Sequence, residues 1–462
     1  MADRDFFEED LPENMDLDNK EFQNALRLIE ETNHSVFLTG KAGTGKSTFL
    51  KYICKHTKKK FIVTAPTGVA AINAKGVTMH SFFQIPFGPL MPGDNRLDMV
   101  FYNKMKKKII KNLDLVIIDE ISMVRADVMD AVDYLLRVYS GIDLPFGGKQ
   151  LLMVGDCYQL EPVCKREEWE IIGQNYDSQY FFSSMSYREV SPVYIELRKV
   201  YRQTDPYFIG MLDRIRLDKA TTDDLRDIND NYDPDYEPTD DEFRILLAAK
   251  RNTVDRINTK RLNDLKEDDK WFMGEADGKF DQKSFPTNIS LHLKKGAQIM
   301  FVKNDPAKRW VNGTIAKIDK IEDDKIFVRM PNGKRIKIKQ MTWKNSKYSY
   351  DSRKDEISEE VLGKFTQYPI KLAWAITVHK SQGLTFDNVI IDMEGGAFAA
   401  GQTYVALSRC RSYEGIVLKT KLRYKDIIIN EEVLEIARTA NDEELIELLL
   451  KPADEQGNFF DD

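Results

Sequence analysis

The residues best suited to chemistry form a glycine-rich segment near the start of the chain, Gly40-Lys41-Ala42-Gly43-Thr44-Gly45-Lys46-Ser47. An apolar run precedes this segment and a helix-forming pattern follows it, which is the strand–loop–helix setting of the GxxxxGK[ST] phosphate loop. Backbone N–H groups in such a loop bind phosphate oxygens at a helix N-terminus. We predict that Lys46 neutralises the β- and γ-phosphates of a nucleotide and that Ser47 ligates Mg²⁺. The other predicted nucleotide contacts are Gly43, Thr44, Gly45 and Thr48.

Two adjacent acids, Asp119 and Glu120, end the apolar run Leu115–Ile118. Phosphoryl transfer requires a metal ion that neutralises charge and a side chain that positions the attacking group. Asp119 is therefore predicted to hold Mg²⁺, directly or through water, and Glu120 to polarise the attacking water. The next apolar run ends near Asp156, and Gln159 follows where a polar side chain could sense the γ-phosphate or orient water.

Apolar runs that alternate with helical patterns must position these residues. The runs of the first part of the chain are Val36–Leu38, Phe61–Val63, Leu115–Ile118 and Leu151–Val154. Buried strands alternating with helices predict a mostly parallel α/β sheet. A second set predicts a second unit of the same kind, and its runs are Arg244–Leu247, Val389–Ile391 and Ile416–Leu418.

The stretch Asn288–Lys344 has a different pattern, with short strand-like runs separated by turns. This spacing predicts a small all-β barrel inserted into the second α/β unit. We therefore predict an α/β fold with two tandem parallel-sheet domains, over residues 1–190 and 191–462. The second domain carries the barrel insertion at about 288–364 and an acidic helical tail at about 431–462.

The order of the motifs resembles that of superfamily 1 helicases. After the phosphate loop come APTGVAA (Ala65–Ala71), DEISM (Asp119–Met123), GDCYQLEPV (Gly155–Val163), ELRKVYRQ (Glu196–Gln203), TVHKSQG (Thr377–Gly383) and YVALSRC (Tyr404–Cys410). The segment Pro145–Asp156 is similar to the signature of the PIF (petite integration frequency) helicases, which are related to the RecD group. The resemblance covers about residues 17–412 and implies superfamily 1B. It implies two RecA-like domains that clamp ATP and move 5′→3′ along single-stranded DNA.

The resemblance assigns roles to residues far apart in the chain. Lys46, Ser47, Asp119 and Glu120 correspond to the ATP and Mg²⁺ residues, and Gln159 to the glutamine that links nucleotide to DNA. Arg202 and Arg409 resemble two arginine fingers supplied by the second domain. An arginine from a facing domain stabilises γ-phosphate charge only when the cleft is closed. Gln382, with Gly383, would bridge to the nucleotide.

Gln23 resembles the glutamine that reads the adenine base. The match departs from the family pattern, because Phe22 stands between this glutamine and the acid that usually precedes it directly. An ordinary glutamine on a helix surface is the alternative.

Further positions predict a path for single-stranded DNA. APTGVAA would expose Thr67 and Gly68 to a phosphodiester. Thr78 and His80 lie beside Phe82 and Phe83, and donors next to aromatic rings suit a strand whose bases stack. The family pattern adds four backbone contacts in the second domain, Asn252, Thr377, His379 and Lys380. In relatives, the position of residues 77–112 carries a small subdomain that splits the duplex, so we predict a wedge there.

The charge of the whole chain is −7, which by itself argues against a nucleic-acid partner. Three segments account for the excess of acid: residues 1–31 carry −8, residues 221–242 carry −9 and residues 431–462 carry −9. The other 377 residues carry +19. The part of the chain that holds the motifs is therefore basic.

Composition excludes several classes of protein. No apolar run approaches the ~18 residues of a membrane span, and the acidic N-terminus fits neither a secretory signal nor a transit peptide. Four cysteines in 462 residues do not form a disulfide scaffold or a zinc site. We expect a cytoplasmic, bacterial-type enzyme that works at the nucleoid, is monomeric in solution and acts on single-stranded DNA and duplex junctions, with ATP and Mg²⁺ as cofactors.

Two alternatives remain open at this stage. One is a RecD-like subunit that translocates only within a nuclease complex, although the chain has no nuclease-like segment. The other is a nucleotide-binding switch without motor activity. The sequence does not distinguish forked duplex, G-quadruplex and RNA–DNA hybrid as substrates.

Overall fold

A computed structural model describes residues 11, 15–239, 242–280, 282–322, 325–351 and 356–451. Two parallel sheets flanked by helices and a set of small antiparallel sheets make up this part of the chain. The predicted α/β class with tandem parallel-sheet units is therefore confirmed. Residues 1–10 of the predicted first domain and residues 452–462 of the predicted acidic tail lie outside the described residues.

The first sheet has six strands in the order β3-β2-β4-β5-β1-β6, and all neighbouring strands are parallel. Its strands are β1 (Val36–Gly40), β2 (Phe61–Ala65), β3 (Val77–Thr78), β4 (Leu115–Asp119), β5 (Gln150–Val154) and β6 (Val193–Leu197). Every residue of β1, β2 and β5 is buried. Helices cover both faces of a parallel sheet, which explains the continuous apolar runs of the sequence.

Helices connect these strands. They are α1 (Lys20–Glu31), α2 (Lys46–His56), α3 (Gly68–Asn73), α4 (Met79–Phe83), α5 (Asn95–Asp98), α6 (Lys104–Asn112), α7 (Ala126–Ser140), α8 (Arg166–Ile172) and α9 (Met185–Val190). The predicted wedge segment, residues 77–112, starts inside the sheet, because its first two residues form β3. The remainder contains α4, α5 and α6, and the buried side chains of Ile109 and Ile110 anchor α6 to the core of this unit.

The first sheet extends past residue 190, the predicted end of the first domain. β6 pairs with β1 with Val193 opposite Val36, and the rings of Tyr194 and Phe37 stack at 4.8 Å. The structure therefore moves this boundary to after Leu197. The sequence pattern did not reveal the strand because Glu196 interrupts its apolar run.

The second half of the chain contains both parallel and antiparallel strands. The strands are β7 (Ile245–Ala248), β8 (Lys270–Met273), β9 (Glu275–Gly278), β10 (Ser290–Leu293), β11 (Gln298–Phe301), β12 (Ile315–Glu322), β13 (Lys325–Arg329), β14 (Arg335–Ile338), β15 (Met341–Asp351), β16 (Glu356–Gln367), β17 (Ile370–Leu372), β18 (Ala375–Thr377), β19 (Val389–Asp392) and β20 (Ile416–Leu418). The helices are α10 (Pro206–Arg216), α11 (Thr222–Asn229), α12 (Arg251–Asp264), α13 (Gln402–Ser408), α14 (Glu431–Ile436) and α15 (Glu443–Leu449).

The second parallel sheet has the order β18-β7-β19-β20. Its apolar side chains form a separate core with α10 and α13, to which Phe208, Met211 and Val405 contribute. The chain leaves the sheet after β7 and returns to it at β18. All the antiparallel sheets lie between these two strands in the sequence.

The insertion consists of three antiparallel sheets, ordered β10-β8, β14-β13-β12-β11-β17 and β15-β16-β9. It has its own core, in which the rings of Phe301 and Trp310 stack at 4.2 Å. The sheets run from Lys270 to Leu372, so the insertion is larger than the predicted residues 288–364. The helix α6 of the first unit contacts β15 of the insertion.

The acidic C-terminal segment returns to the first unit. Val433, Ile446 and Leu449 are buried in the core of that unit, and Lys20 of α1 pairs with Glu443 at 2.7 Å. Asn441 bonds to both backbone groups of the β6 residue Glu196, each at 2.9 Å. The described part of the predicted tail is thus a covering layer on the edge strand of the first sheet, whose unpaired backbone it helps to satisfy.

No helix in the described ranges is long and apolar enough to cross a membrane. Cys54, Cys157, Cys164 and Cys410 are free thiols. This agrees with the prediction that no disulfide scaffold supports the fold.

Candidate active site

A cleft of about 550 Å³ lies between the two parallel-sheet units. The first unit contributes the glycine-rich loop, Asp119, Glu120 and Gln159. The other wall contains Arg202, Gly383 and Arg409. The structure therefore brings together residues that are up to 396 positions apart in the sequence, from Met15 to Arg411.

The phosphate loop runs from the end of β1 to the start of α2, which begins at Lys46. Gly43 and Gly45 have φ values of 85° and 95°, which favour glycine, and a Cβ at Gly43 would lie only 2.4 Å from the Cβ of Arg202. The close approach of Arg202 thus depends on the missing side chain. Ser47 and Thr48 lie in the first turn of α2 and line the cleft.

The Lys46 ammonium folds back on the loop and donates to the carbonyl oxygens of Gly40, at 2.5 Å, and Lys41, at 3.0 Å. Burial lowers the pKa of Lys46, while the charges of Asp156 and Glu120 act in the opposite direction. The lysine therefore lies among backbone acceptors at the place where a phosphate would give it a stronger partner.

The two acids end β4 as predicted. Burial and the charge of Glu120 raise the pKa of Asp119 to about 7. Burial also raises the pKa of Glu120, and Lys46 opposes that shift. Glu120 has a φ of 51° and accepts a hydrogen bond from the Gln382 side chain at 3.0 Å, so a residue of the second unit reaches across to the acid of the first.

Two arginines face these groups from the other wall. The Arg202 guanidinium donates to the Ser408 carbonyl at 3.3 Å, and burial together with the charge of Arg409 lowers the pKa of Arg202 to about 9. Arg409 is 1% exposed, and burial lowers its pKa as well. Its guanidinium donates to the carbonyl of Val405 at 3.0 Å and to the Ser408 hydroxyl at 2.9 Å.

The electrostatics of the cleft have a clear direction. The cations Lys46, Arg202 and Arg409 all have lowered pKa values, and the carboxyls of Asp119 and Glu120 have raised ones. Buried cations are stabilised by an anion and buried carboxylates by a cation. The site therefore favours a ligand that contains both, such as a polyphosphate with a divalent metal ion.

Gln159 lies in the cleft and is 6% exposed, and its side-chain amide donates to Asp156 at 3.1 Å. Gln23 lies elsewhere: its amide donates to the Leu17 carbonyl at 2.6 Å, and its side chain is not part of the cleft wall. At that end of the cleft the wall consists of Met15, Asp16, Asn19, Phe22 and Tyr201.

Sequence reasoning missed the contact that closes this end. Asp16 accepts hydrogen bonds from Lys199, at 2.6 Å, and from the Tyr201 hydroxyl, at 2.8 Å, and these bonds lower its pKa. The Tyr201 amide donates to the Gly43 carbonyl at 2.8 Å, which places its ring beside the phosphate loop. A tyrosine within YRQ is the only sequence signal for this arrangement, since Asp16 is 185 residues away.

Three of the predicted DNA contacts already have structural partners. The hydroxyls of Thr67 and Thr78 cap the N-termini of α3 and α4, and that of Thr377 accepts from the Lys380 amide at 3.2 Å. The three hydroxyls thus already accept hydrogen bonds from nearby backbone amides. A Cβ at the position of Gly68 would lie 3.6 Å from the hydroxyl oxygen of Ser284, which belongs to the insertion.

The remaining predicted contacts are more accessible. His80 stacks on Phe87 with ring centroids 5.2 Å apart, and Phe87 is 84% exposed. Asn252 and Lys380 are exposed, whereas His379 is half-buried. Like Tyr201, Phe87 was not predicted from the motifs, although it belongs to the aromatic-rich segment after GVTMHSFF.

Fold and cleft together define a nucleotide-binding P-loop protein in which two parallel-sheet units share one site. A family model described as PIF1-like helicase matches residues 17–222, and a UvrD-like helicase C-terminal domain model matches residues 372–416. The chain is 30% identical to the ATP-dependent DNA helicase Pif1 of Bdellovibrio bacteriovorus, over 89% of this chain and 89% of that protein. The chain belongs to the PIF1-like helicase family.

Eukaryotic relatives are longer than this chain. It is 30% identical to the ATP-dependent DNA helicase PIF1 of Emericella nidulans over 90% of this chain but only 62% of that protein. The corresponding shares of the Xenopus laevis and Mus musculus proteins are 59% and 58%. The chain thus spans about three fifths of the length of these relatives.

Two crystal structures of Pif1 from Bacteroides match the fold. The complex with ADP-AlF4 has a TM-score of 0.86 at 41% identity and covers 94% of this chain and 99% of its own. The form bound to single-stranded DNA has a TM-score of 0.67 at 42% identity, over 92% and 97%. The unliganded form from Bacteroides scores nearly as high as the ADP-AlF4 complex, with a TM-score of 0.84 at 41% identity over 93% and 98%. The structure described here therefore superposes better on these two forms than on the form bound to single-stranded DNA.

Proposed function

We propose that the protein is an ATP-dependent DNA helicase that moves 5′→3′ along a single strand and separates the duplex ahead of it. The observation that carries this proposal is the cleft in which half-buried cations with lowered pKa values face carboxyls with raised ones. ATP with Mg²⁺ supplies an anion to the first group and a cation to the second. Membership of the PIF1-like family supports the proposal.

Ser47 and Asp119 would hold Mg²⁺, since hydroxyl and carboxylate oxygens are the ligands this hard ion prefers. The bound ion would neutralise charge on the phosphates. The backbone of Gly43, Thr44 and Gly45 would bind the phosphates, and Lys46 would exchange its two backbone carbonyls for phosphate oxygens. Glu120, beside them, would orient the attacking water and accept its proton.

Arg202 and Arg409 would stabilise the charge that develops on the γ-phosphate. Both are already aligned by the carbonyl or hydroxyl of Ser408, so the second unit presents them as a pair. Their mutual repulsion, visible in the lowered pKa of Arg202, would be relieved by the phosphate. Hydrolysis would thus depend on closure of the two units.

Gln382 and Gln159 would connect the nucleotide to the DNA. Gln382 bonds to Glu120 across the cleft, and three residues before it lies His379 of the predicted DNA path. Gln159 is buried in the first unit and bonded to Asp156. A change in nucleotide state at Glu120 would therefore be transmitted to the segment with His379 that would bind DNA. Binding of DNA would act on the nucleotide site in return.

Single-stranded DNA would bind along the caps of α3 and α4 in the first unit and along Asn252, His379 and Lys380 in the second. Backbone amides at the capped helix ends suit phosphates, and the stacked His80 and Phe87 pair suits a base. The segment with α4, α5 and α6 would act as the wedge at the duplex junction, where α6 contacts β15 of the insertion.

Strand separation by the purified full-length chain tests this proposal. We expect ATP- and Mg²⁺-dependent unwinding of a partial duplex with a 5′ single-stranded tail and none with a 3′ tail; forked duplex, G-quadruplex and RNA–DNA hybrid substrates with the same tail then define the preference. Lys46→Ala should abolish unwinding and hydrolysis, whereas Lys58→Ala, an exposed lysine after α2, should not. Hydrolysis that DNA does not stimulate would favour a nucleotide switch instead, and unwinding only with added nuclease subunits a RecD-like role.

A further inference from the structure

The helix α10 (Pro206–Arg216) lies at the boundary of the two units and touches both. Its apolar residues Phe208, Met211 and Ile215 are buried in the core of the second unit. Its other side carries Asp213 and Arg216, one helical turn apart. Both of these charged side chains pair with residues of the first unit.

Arg216 is almost completely enclosed, with an exposure of 2%. Its guanidinium donates to Asp156 at 3.2 Å and to Glu196 at 3.1 Å, and it lies 4.0 Å from the centre of the Tyr158 ring. Asp156 is 1% exposed and lies two residues after the end of β5, while Glu196 belongs to β6. The arginine thus neutralises two carboxylates of the first sheet from a helix of the second unit.

Asp213 makes the second crossing contact, with Lys41 of the phosphate loop. This pair is partly exposed, at 24% and 28% for the two side chains, so solvent weakens it. The contact of Arg216 with Asp156 is screened much less, because both side chains are almost fully buried. Removing one member of a buried ion pair leaves a charge without compensation.

Asp156 connects this contact to the nucleotide site. Its second oxygen accepts the hydrogen bond that orients Gln159, at 3.1 Å. Its negative charge also acts on Lys46 and Glu120. It opposes the lowering of the Lys46 pKa by burial and adds to the raising of the Glu120 pKa. A change in the position or the pairing of Asp156 therefore affects the residues that would face the γ-phosphate.

We propose that Arg216 is a positioning residue that couples closure of the two units to ATP hydrolysis. In the closed arrangement Arg216 neutralises Asp156 and holds it where it orients Gln159. When the units separate, α10 moves with the second unit, Arg216 withdraws, and Asp156 becomes an unpaired negative charge near the phosphates. Hydrolysis is then suppressed until the units close again. This inference rests on the proposed function, because it presupposes that DNA binding favours closure.

The same helix offers a matched control. Arg214 pairs with Asp224 at 2.5 Å, and both residues belong to the second unit. Arg214→Met removes a positive charge and an ion pair from α10 without touching the boundary. Arg216→Met removes the pair that crosses it.

The test is the ratio of kcat for ATP hydrolysis with and without single-stranded DNA, measured on the full chain. Partial unfolding lowers the active fraction in both measurements equally, so it does not change this ratio. We expect Arg216→Met to reduce the ratio at least about tenfold with less than about threefold change in KM for ATP, as for an interaction that acts after binding. Arg214→Met should retain the wild-type ratio.

A second variant guards against a failure of Arg216→Met to fold. Asp156→Asn combined with Arg216→Met removes both members of the fully buried pair, so that only Glu196, whose side chain is 20% exposed, loses its arginine. It should also have a reduced ratio, because Gln159 is no longer connected to α10. A wild-type ratio in the double variant, or equal losses in Arg214→Met and Arg216→Met, would overturn the inference. If the wild-type chain itself shows no DNA stimulation, the proposed function fails and the inference fails with it.

Discussion

The nucleotide cleft and the proposed DNA path are built on different principles. In the cleft, half-buried or buried charged side chains converge from both units, and the pKa values of the cations and carboxyls are displaced in opposite directions. Along the DNA path, the hydroxyls of Thr67 and Thr78 are engaged in capping helices, and the accessible groups are single side chains such as Phe87. The comparison teaches that the cleft depends on a few irreplaceable charges, whereas the DNA path distributes its affinity over many small contacts.

After the complete loss expected for Lys46→Ala, the largest effect is expected from an arginine of the cleft. Arg202→Ala should lower kcat for ATP hydrolysis by about 10³-fold while leaving nucleotide and DNA binding intact, as for other arginine fingers. Exposed Arg198, four residues earlier, provides the control, and Arg198→Ala should keep wild-type turnover. Steady-state hydrolysis and nucleotide titration measure both. If Arg202→Ala loses nucleotide binding instead, the arginine has a binding role.

Arg409 allows a further distinction, because its guanidinium also stabilises the fold. It donates to the carbonyls of Val405 and Leu384, so Arg409→Ala should lower the melting temperature as well as kcat. Arg202→Ala should leave the melting temperature nearly unchanged. Equal melting temperatures for both variants would contradict this distinction.

Acidification should weaken the nucleotide cleft and spare the proposed DNA path. Asp119, with a pKa raised to about 7, must be ionised to hold Mg²⁺, so kcat/KM for ATP should fall by about tenfold per pH unit below that value. More Mg²⁺ should shift this limb to lower pH, since the ion competes with protons. His80 and His379 have lowered pKa values because they are half-buried, so they gain charge only at lower pH. Affinity for single-stranded DNA should therefore not decrease as the pH falls through the same range.

A pH–rate profile at two Mg²⁺ concentrations, together with DNA titrations at each pH, measures both trends. The value of kcat/KM for ATP should fall on acidification because the carboxyl pKa values are raised. The ionised form of the carboxyls, which can bind the metal ion, is lost as the pH falls through these pKa values. A pH-independent kcat/KM between pH 5.5 and 7.5 would contradict the assignment of Asp119.

A single contact on the DNA path should matter less. Phe87→Ala removes an exposed ring that stacks on His80, and stacking contributes about 1–3 kcal/mol per base, so affinity should fall by about five- to 150-fold. Met185→Ala, another exposed apolar residue of the first unit, should leave affinity unchanged. Fluorescence anisotropy with labelled single-stranded DNA measures the change. Equal affinities for the Phe87→Ala variant and the wild-type chain would remove Phe87 from the path.

The smallest effect is expected at Gln23. Its amide bonds to the Leu17 carbonyl and does not line the cleft, so Gln23→Ala should change KM for ATP by less than about threefold, as for an exposed hydrogen bond. Tyr201→Ala should raise KM more, because its ring lies beside the phosphate loop. The order of these two KM values decides which residue contributes to the base end of the cleft.

The sequence predicted the cleft better than its surroundings, for a physical reason. The phosphate loop and the acids after β4 are short segments whose chemistry depends on backbone geometry, so their spacing is visible in the sequence. The contact of Asp16 with Lys199 and Tyr201 joins residues more than 180 positions apart and has no local pattern. The same holds for Arg216, which is one of two arginines in RIR and differs from Arg214 only in which unit it faces.

Strand prediction failed where the apolar pattern was interrupted. β6 was not recognised because Glu196 breaks its run, yet that carboxylate is the partner of Arg216. The tail beyond residue 430 looked like an acidic extension, because its charges dominate the composition. Its apolar residues, Val433, Ile446 and Leu449, pack onto the first unit, and this packing depends on a surface that the local sequence does not show.

That return of the chain has a consequence for motion. The second unit starts after Leu197 and ends before Asn430, where α14 begins to cover the first unit. The polypeptide chain therefore connects the second unit to the first at two points, one at each end of the second unit. Two connections restrict how the second unit can move relative to the first. Under the proposed function, each closure would therefore return the same arginines to the same phosphates.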